Sequence, residues 1–297
     1  GVVGILLSFG LATIYGIALA SETPNFSNFY KQLAFVGIGI VGIFIVERID
    51  YKAFDSYYKH LYIVGIAVLL LVLFFGQTIR GTKGWFSIGG FGIQPVEIAK
   101  FSVIIFLAHF FSKSAREIQQ LKNIIISGLM VAVMVLLVLM QPDFGSALTM
   151  VGVWFGMLLV VGIRRVHLLL LSFLMVLVCI SSWFFFLQDY QKERIMTFLD
   201  PSRDPLGRGY NITQASIAVG SGQVFGRGLG YGSQSQLKFL PESQTDFIYA
   251  VIAEEFGFIG GIIIFMLWAI IFWRLTKAAN DCSNDFGALV VIGIALL

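Results

Sequence analysis

Residues 241–273, PESQTDFIYAVIAEEFGFIGGIIIFMLWAIIFW, decide the fold. The first seven, Pro241-Glu242-Ser243-Gln244-Thr245-Asp246-Phe247, end a polar segment. From Ile248 the chain is apolar to Trp273, broken only by Glu254 and Glu255. A helix needs roughly 20 apolar residues to cross a hydrocarbon core of about 30 Å, so this run reads as a membrane span. Asp246 then sits in the first turn of that helix. Charge at a membrane boundary is costly, and a carboxylate held there is a functional hypothesis by default. Upstream, a polar stretch rich in Gly and Arg reaches back to Gln188.

The rest of the chain reads the same way. Its 297 residues are 58% hydrophobic and 12% charged, with a mean hydropathy of +0.87. Soluble domains are nearer roughly 25% charged, so a soluble globular fold is excluded. Apolar runs place spans near 2–20, 30–46, 61–75, 95–111, 122–140, 144–163, 166–187 and 246–273, with another starting near Phe286. Barrel strands are about ten alternating residues long; these runs are longer and continuous. The expected fold is an all-α polytopic membrane protein, residues 1–297 forming one membrane domain and 188–245 one large extracytoplasmic loop. The chain begins without Met inside one apolar run and stops inside another, which reads as a piece cut at both ends. Cys179 and Cys282 lie at different expected depths, so no disulfide framework is implied.

Lys and Arg counts in short loops set orientation. Arg48, Lys52, Lys59, Lys113, Arg116, Lys122, Arg164, Arg165, Arg274 and Lys277 fall on one side, and Lys31, Arg80 and Lys83 on the other. The richer side is expected to be cytoplasmic, which puts 188–245 outside. That loop adds Lys192, Arg194, Arg203, Arg208, Arg227 and Lys238, and an anionic ligand outside would account for them.

Four segments then bring ionisable groups to the outer surface. Glu97 and Lys100, three apart, share a helix face in the fourth span. Asp143 follows Pro142 in the turn before the sixth span, Asp246 opens the eighth, and Arg80, Lys83 and Trp85 precede the fourth. Each has a plainer reading. Glu97 and Lys100 also read as a structural ion pair, Asp143 and Asp246 as helix caps, and Trp85 as an interface anchor. Glu254 and Glu255 lie roughly 12 Å deeper than Asp246 by helical rise and suit packing or hydrogen bonding better than chemistry. His60, His109 and His167 show no metal-ligand spacing. Gly152/Gly156 and Gly257/Gly261 have small-xxx-small spacing for helix contacts. Gly76 to Lys83 lacks the Ser or Thr of a phosphate loop, and Gly226 to Gly230 lacks the setting of a dinucleotide site. Acids and bases beside a basic, Gly-rich loop suit a lipid-linked anionic substrate. Arg clamps phosphate oxygens, Lys supplies a point charge, and a carboxylate serves as general base.

Several motifs carry a family resemblance: Arg80-Gly81-Thr82-Lys83-Gly84-Trp85, Gln94 to Lys100, Gln141 to Ala147, Lys192-Glu193-Arg194-Ile195, Ala218 to Gly222, and Phe239 to Ile248. In this order they closely resemble the shape, elongation, division and sporulation (SEDS) family of RodA/FtsW type, and cover nearly the whole chain. The Ser233-Gln234-Ser235-Gln236-Leu237-Lys238-Phe239 stretch is nearer the RodA branch. Val96, Gly84 and Gln244 depart from the residues usual in the family. The resemblance implies ten spans, of which this chain carries eight to nine. It also implies a peptidoglycan glycosyltransferase that polymerises lipid II at the outer face of the bacterial cytoplasmic membrane. Asp246 would be its general base. Lys100, Arg80, Lys83, Arg194 and Arg208 would offset the diphosphate charge, with Glu97 orienting Lys100 and Asp143, Trp85, Glu242 and Ser243 lining the site. No cofactor is required, although a divalent cation is compatible with that role. The implied partner is a class B penicillin-binding protein, a transpeptidase. The competing readings are a lipid II flippase and a non-enzymatic scaffold for such a transpeptidase; an ion-coupled transporter is disfavoured, since no inverted repeat of broken helices is evident.

Overall fold

The computed structural model describes residues 1–19, 25–79, 81–88, 91–114, 120–236 and 239–297. In chain order come α1 (Val2–Leu19), α2 (Ser27–Glu47), the short α3 (Tyr51–Ser56) and α4 (Tyr58–Phe75), then strands β1 (Gln77–Ile79), β2 (Thr82–Ile88) and β3 (Phe91–Ile93). There follow α5 (Pro95–Lys113), α6 (Leu121–Leu139), α7 (Phe144–Val161) and α8 (Arg165–Ser181), the last extended by a π-helical turn at Ser182–Phe186. The remainder is α9 (Asp189–Leu199), a 3₁₀ turn at Pro201–Arg203, α10 (Arg208–Ser221), α11 (Ser233–Gln236), α12 (Ile248–Asp281) and α13 (Asp285–Leu296). Among the described residues, eight helices are long and apolar enough to span a membrane: α1, α2, α4 to α8 and α12. The all-α polytopic expectation holds. The second and third spans start three residues early, at Ser27 and Tyr58, because the helices continue into their polar flanks.

The chain sorts into two compact units, Gly1–Arg48 with Val176–Ile271, and Ile49–Met175 with Phe272–Leu297. The second unit is centred on α5. Pro95 starts this helix at a position where its missing N–H costs nothing. Val103, Ile104, Leu107 and Phe111 of α5 are fully enclosed, with Leu69 of α4, Met134 of α6 and Met157 of α7 in the same core. Lipid is as apolar as these side chains, so close fit rather than water exclusion holds the helices together. Small residues permit that fit. Gly65 abuts Ser102, Gly293 abuts Ile104, and a Cβ on Gly156 would meet Leu296 at 2.7 Å. Of the expected small-residue pair, Gly156 makes a helix contact, while Gly152 has nothing within 4 Å. Polar links add registry: the Tyr62 hydroxyl donates to Met130 O at 2.7 Å, and His109 Nδ1 lies 2.7 Å from Asp55 while its ring stacks on Tyr58.

Between α4 and α5 the chain forms a three-stranded antiparallel sheet in the order β1-β2-β3, which the sequence reading treats as plain loop. Gln77 pairs with Trp85 and Lys83 with Thr78, with a register irregularity between Gln77 and Thr78.

In the first unit the polar 188–245 segment contains helices that the sequence reading does not place: α9, α10 and α11 lie within it. Gln188 closes a capping box with Gln191 at the start of α9, satisfying orphan N–H groups of the first turn. Asp204 accepts from the N–H groups of Gly207 and Arg208 at 3.0 and 2.8 Å and so opens α10. Ala218 of α10 packs with Ile17 of α1 and with Leu240, Ala250 and Val251.

The eighth span also differs from expectation. It begins at Ile248 rather than Asp246, runs to Asp281, and is interrupted at Gly257, whose φ of 68° and ψ of −165° are non-helical. That conformation is essentially confined to glycine. Gly257 is therefore a break point and not half of a helix-packing pair. Breaking a helix at membrane depth strands backbone polar groups that lipid cannot satisfy. The chain following α10 supplies their partners. Phe258 N donates to Gln223 O at 2.8 Å and Ile259 N to Val224 O at 3.2 Å, while Arg227 N donates to Glu254 O at 3.0 Å and Gly228 N to Glu255 O at 2.9 Å. Gly222 and Gly226 lie so close to the backbones of Ala253 and Glu255 that neither has room for a Cβ.

Candidate functional site

In the first unit, residues 241–247 form consecutive turns that lead into α12. Thr245 N and Phe247 N both donate to Glu242 O, at 3.1 and 3.3 Å, and Thr245 Oγ1 donates to the Glu242 carboxylate at 3.0 Å. Glu242 adopts a left-handed φ of 54° to make this turn. Asp246 is exposed on it, two residues before α12 rather than in the first helical turn. The side chain of Gln244, a departure from the family pattern, accepts from Asn28 Nδ2 at 2.5 Å and ties the turn to the start of α2. Ser243 is half-buried beside it. The carboxylate is thus carried on a tightly bonded turn, which limits the freedom lost when a substrate docks.

Behind the turn, Glu254 and Glu255 are buried. Gln234 N donates to Glu254 Oε1 and Gly230 N to Glu255 Oε1, both at 2.9 Å. The reading of these two as hydrogen-bonding supports stands. Arg227, one of the loop's expected cations, is also internal scaffolding: its guanidinium donates to Ser221 O at 3.2 Å and to Ser233 Oγ at 3.1 Å. Arg194 on α9 and Arg208 at the first turn of α10 are exposed. Asp200 accepts from Ser202 Oγ at 2.5 Å, and that bond, with help from Ser202 N and Arg203, holds its carboxyl below the usual range.

The second unit holds the other group. Lys100 Nζ is 2.8 Å from Glu97 Oε1, and the lysine side chain is 12% exposed against 56% for the glutamate. The cation is therefore tucked against the bundle while its partner faces outward. Asp143 caps α7, accepting from Ser146 N at 3.0 Å and Ser146 Oγ at 2.8 Å. Gln94 Nε2 donates at 3.3 Å to Asp143 Oδ2, the oxygen that also accepts from Ser146 Oγ, a link that the motif around Gln94 contains but that spacing alone does not reveal. Asp143 and Gln94 border a cavity of about 440 Å³ with Trp85, Ile79, Thr82 and Gly92 of the sheet. The Trp85 ring covers Gly92, where a Cβ would come within 3.0 Å of it. Lys83 shares a strand face with Trp85 through the two-residue period of β2. Arg80 lies outside the described residues. Among the described residues, no three His, Cys, Asp or Glu side chains stand together as a metal site would require.

A family model described as "Cell cycle protein", covering FtsW, RodA and SpoVE, matches residues 1–297. The chain belongs to the FtsW/RodA/SpoVE family. It is 34% identical over 299 residues to the Stage V sporulation protein E of Bacillus subtilis, covering 98% of this chain and 80% of that one. It is 35% identical over 270 residues to the peptidoglycan glycosyltransferase MrdB of Escherichia coli K12, covering 90% of this chain and 72% of the relative. A solved structure described as "Structural coordination of polymerization and crosslinking by a peptidoglycan synthase complex" superposes with a TM-score of 0.77 at 29% identity, covering 97% of this chain and 82% of that one. With the family the enzyme class follows: the chain is a glycosyltransferase and a multi-pass membrane protein.

Proposed function

We propose that this FtsW/RodA/SpoVE-family member polymerises lipid II at the outer face of the cytoplasmic membrane, with Asp246 as general base. The observation that carries the base assignment is the exposed Asp246 carboxylate on a turn fixed by Glu242, Thr245 and Asn28. In this reaction Asp246 takes the proton from the 4-hydroxyl of the acceptor GlcNAc. The freed oxygen attacks C1 of the donor MurNAc, the bond from C1 to the diphosphate breaks with inversion, and undecaprenyl diphosphate departs with the bonding pair. A single displacement needs one base and no protein nucleophile. Charge developing on the diphosphate is offset by Lys100, Lys83, Arg194 and Arg208, with Arg80 as a further candidate, and Glu97 orients Lys100. Asp143, Trp85, Glu242 and Ser243 border the substrate, and a divalent cation is an optional contributor to the same offset.

A class B penicillin-binding protein is the proposed partner. The likeness to a synthase complex that joins polymerization to crosslinking supports it. A role in elongation rests on the RodA-like 233–239 stretch, since relatives named for sporulation and as MrdB match equally well.

The deciding experiment incubates the full-length protein and its transpeptidase partner with fluorescent lipid II, comparing wild type with Asp246→Asn. Polymer from wild type and none from a folded, partner-bound variant supports the base assignment. Normal polymer from the variant removes it and favours a scaffold or another base. A second reading, lipid II translocation, draws on the buried Glu254 and Glu255 beside a broken helix, a feature of transport paths. It is supported if neither protein makes polymer and vesicles show lipid II movement.

A further inference from the structure

The second unit contains a cleft of about 520 Å³ between α6, α7 and α8 that none of the proposed site residues lines. Its walls are hydrocarbon for most of its length. On α6 the lining residues run from Leu121 to Val135 along one face, roughly 21 Å by helical rise. That exceeds half of an approximately 30 Å hydrocarbon core. Trp154 closes the floor, its indole N–H already bonded to Ser127 Oγ at 3.0 Å. Gly128 leaves the cleft open, since a Cβ there would meet Trp154 at 3.1 Å.

One end is different in kind. His167 lines it, and its Nδ1 is buried without a hydrogen-bond partner among the described residues. A buried polar atom of this sort implies a group that the protein itself does not supply. Lys122, Arg164 and Arg165 are exposed at the same end, and both α6 and α8 begin there. Helix N-termini carry partial positive charge and favour anions, and Gln120 closes no side-chain cap on α6. From 120 to 142 and from 144 to 188 the sequence has no Asp or Glu. This is also the end that the Lys and Arg count assigns to the cytoplasm.

We propose that the cleft binds one anionic phospholipid, an acyl chain lying against Trp154 and the phosphate held at Lys122, Arg164, Arg165 and His167. Basic pockets between spanning helices on the cytoplasmic side recognise anionic headgroups in this manner. The site is independent of the proposed glycan chemistry. The two ends of the lipid divide the recognition: the groove accepts any suitable chain, and the mouth selects the headgroup.

Native mass spectrometry of the full-length protein, released from detergent with added phosphatidylglycerol or phosphatidylcholine, tests this. Wild type is expected to hold one phospholipid and to favour phosphatidylglycerol by roughly tenfold. Lys122→Gln with Arg165→Gln, on exposed positions, should reduce that preference to about twofold or less. Ala132→Phe, which fills the groove, should lose both lipids while retaining its elution profile. The proposal is overturned by a wild type without headgroup preference, or by a charge variant that keeps the preference. It is equally overturned if undecaprenyl phosphate displaces phosphatidylglycerol at equal concentration, which would make the groove an isoprenoid site, or if a co-purifying transpeptidase helix excludes the phospholipid.

Discussion

The backbone N–H of Gly230 donates to the buried carboxyl of Glu255 at 2.9 Å. The bond fastens the loop after α10 to the interior of a helix that is itself broken two residues later, at Gly257. Replacing Glu255 by Gln keeps an acceptor in place; replacing it by Leu leaves the part-buried Gly230 N–H without this acceptor, at a cost of about 1 kcal/mol. Glu255→Leu should therefore lower the melting temperature in detergent while Glu255→Gln stays close to wild type. Equal losses in both would show that the bond contributes little.

Gly257→Ala should be more damaging than a helix-interior glycine substitution elsewhere. Its φ/ψ is available almost only to glycine, and Val224, Phe225 and Gly226 occupy the Cβ position. The strain contributes about 1–3 kcal/mol before any clash is counted. Gly152→Ala, with nothing within 4 Å, serves as the control and should be neutral or stabilising. Thermal unfolding of the two variants checks the contrast.

Asp143 separates capping from chemistry. Asp143→Asn retains a cap for Ser146 N and Asp143→Ala does not, so Ala should cost about 1 kcal/mol more. If polymerisation is equal in wild type and Asn, the residue acts on lipid II only by holding α7 and Gln94 in place.

Glu97→Gln should change stability by about 1 kcal/mol or less, since the Glu97 carboxylate is itself half in solvent. Its expected effect is a raised KM for lipid II with little change in kcat, because it removes the orientation of Lys100 and not the cation. A lowered melting temperature with unchanged KM would make the pair purely structural.

Asp200 carries a pH signature. Its carboxyl is depressed by the Ser202 hydroxyl, then by Ser202 N and Arg203. The depressed group favours the folded turn above its unfolded value and loses that contribution as pH falls through its folded value. A carboxyl-carbon NMR titration, assigned by Asp200→Asn, should place its midpoint below the ordinary aspartate value of 3.8. Ser202→Ala should move it upward.

The spanning helices were legible because long apolar runs have few alternatives in lipid. The start of α12 was legible to within two residues from its apolar run, and Asp143 as a cap, because Asp before an apolar run satisfies orphan N–H groups. Gly257 was not, since its neighbours are as apolar as any helix interior and only the partner loop reveals the break. The 77–93 sheet was hidden by its short strands and glycines, and α9 and α10 by polar composition, although Gln188 and Gln191 carried a capping signal. The pairing of Gln94 with Asp143 joins residues 49 apart and has no local signature.

Asn28 and Gln244 touch across 216 residues of chain, and the unit they share draws on Gly1–Arg48 and Val176–Ile271. A ribosome adding about 5–20 residues per second places roughly 10–40 s between the synthesis of the two residues. During that interval α1 and α2 are made but cannot complete their unit, while most of the other unit is synthesised in between. The unit that carries Asp246 is consequently assembled late, and a chain halted before the 241–247 turn has membrane helices but lacks Asp246.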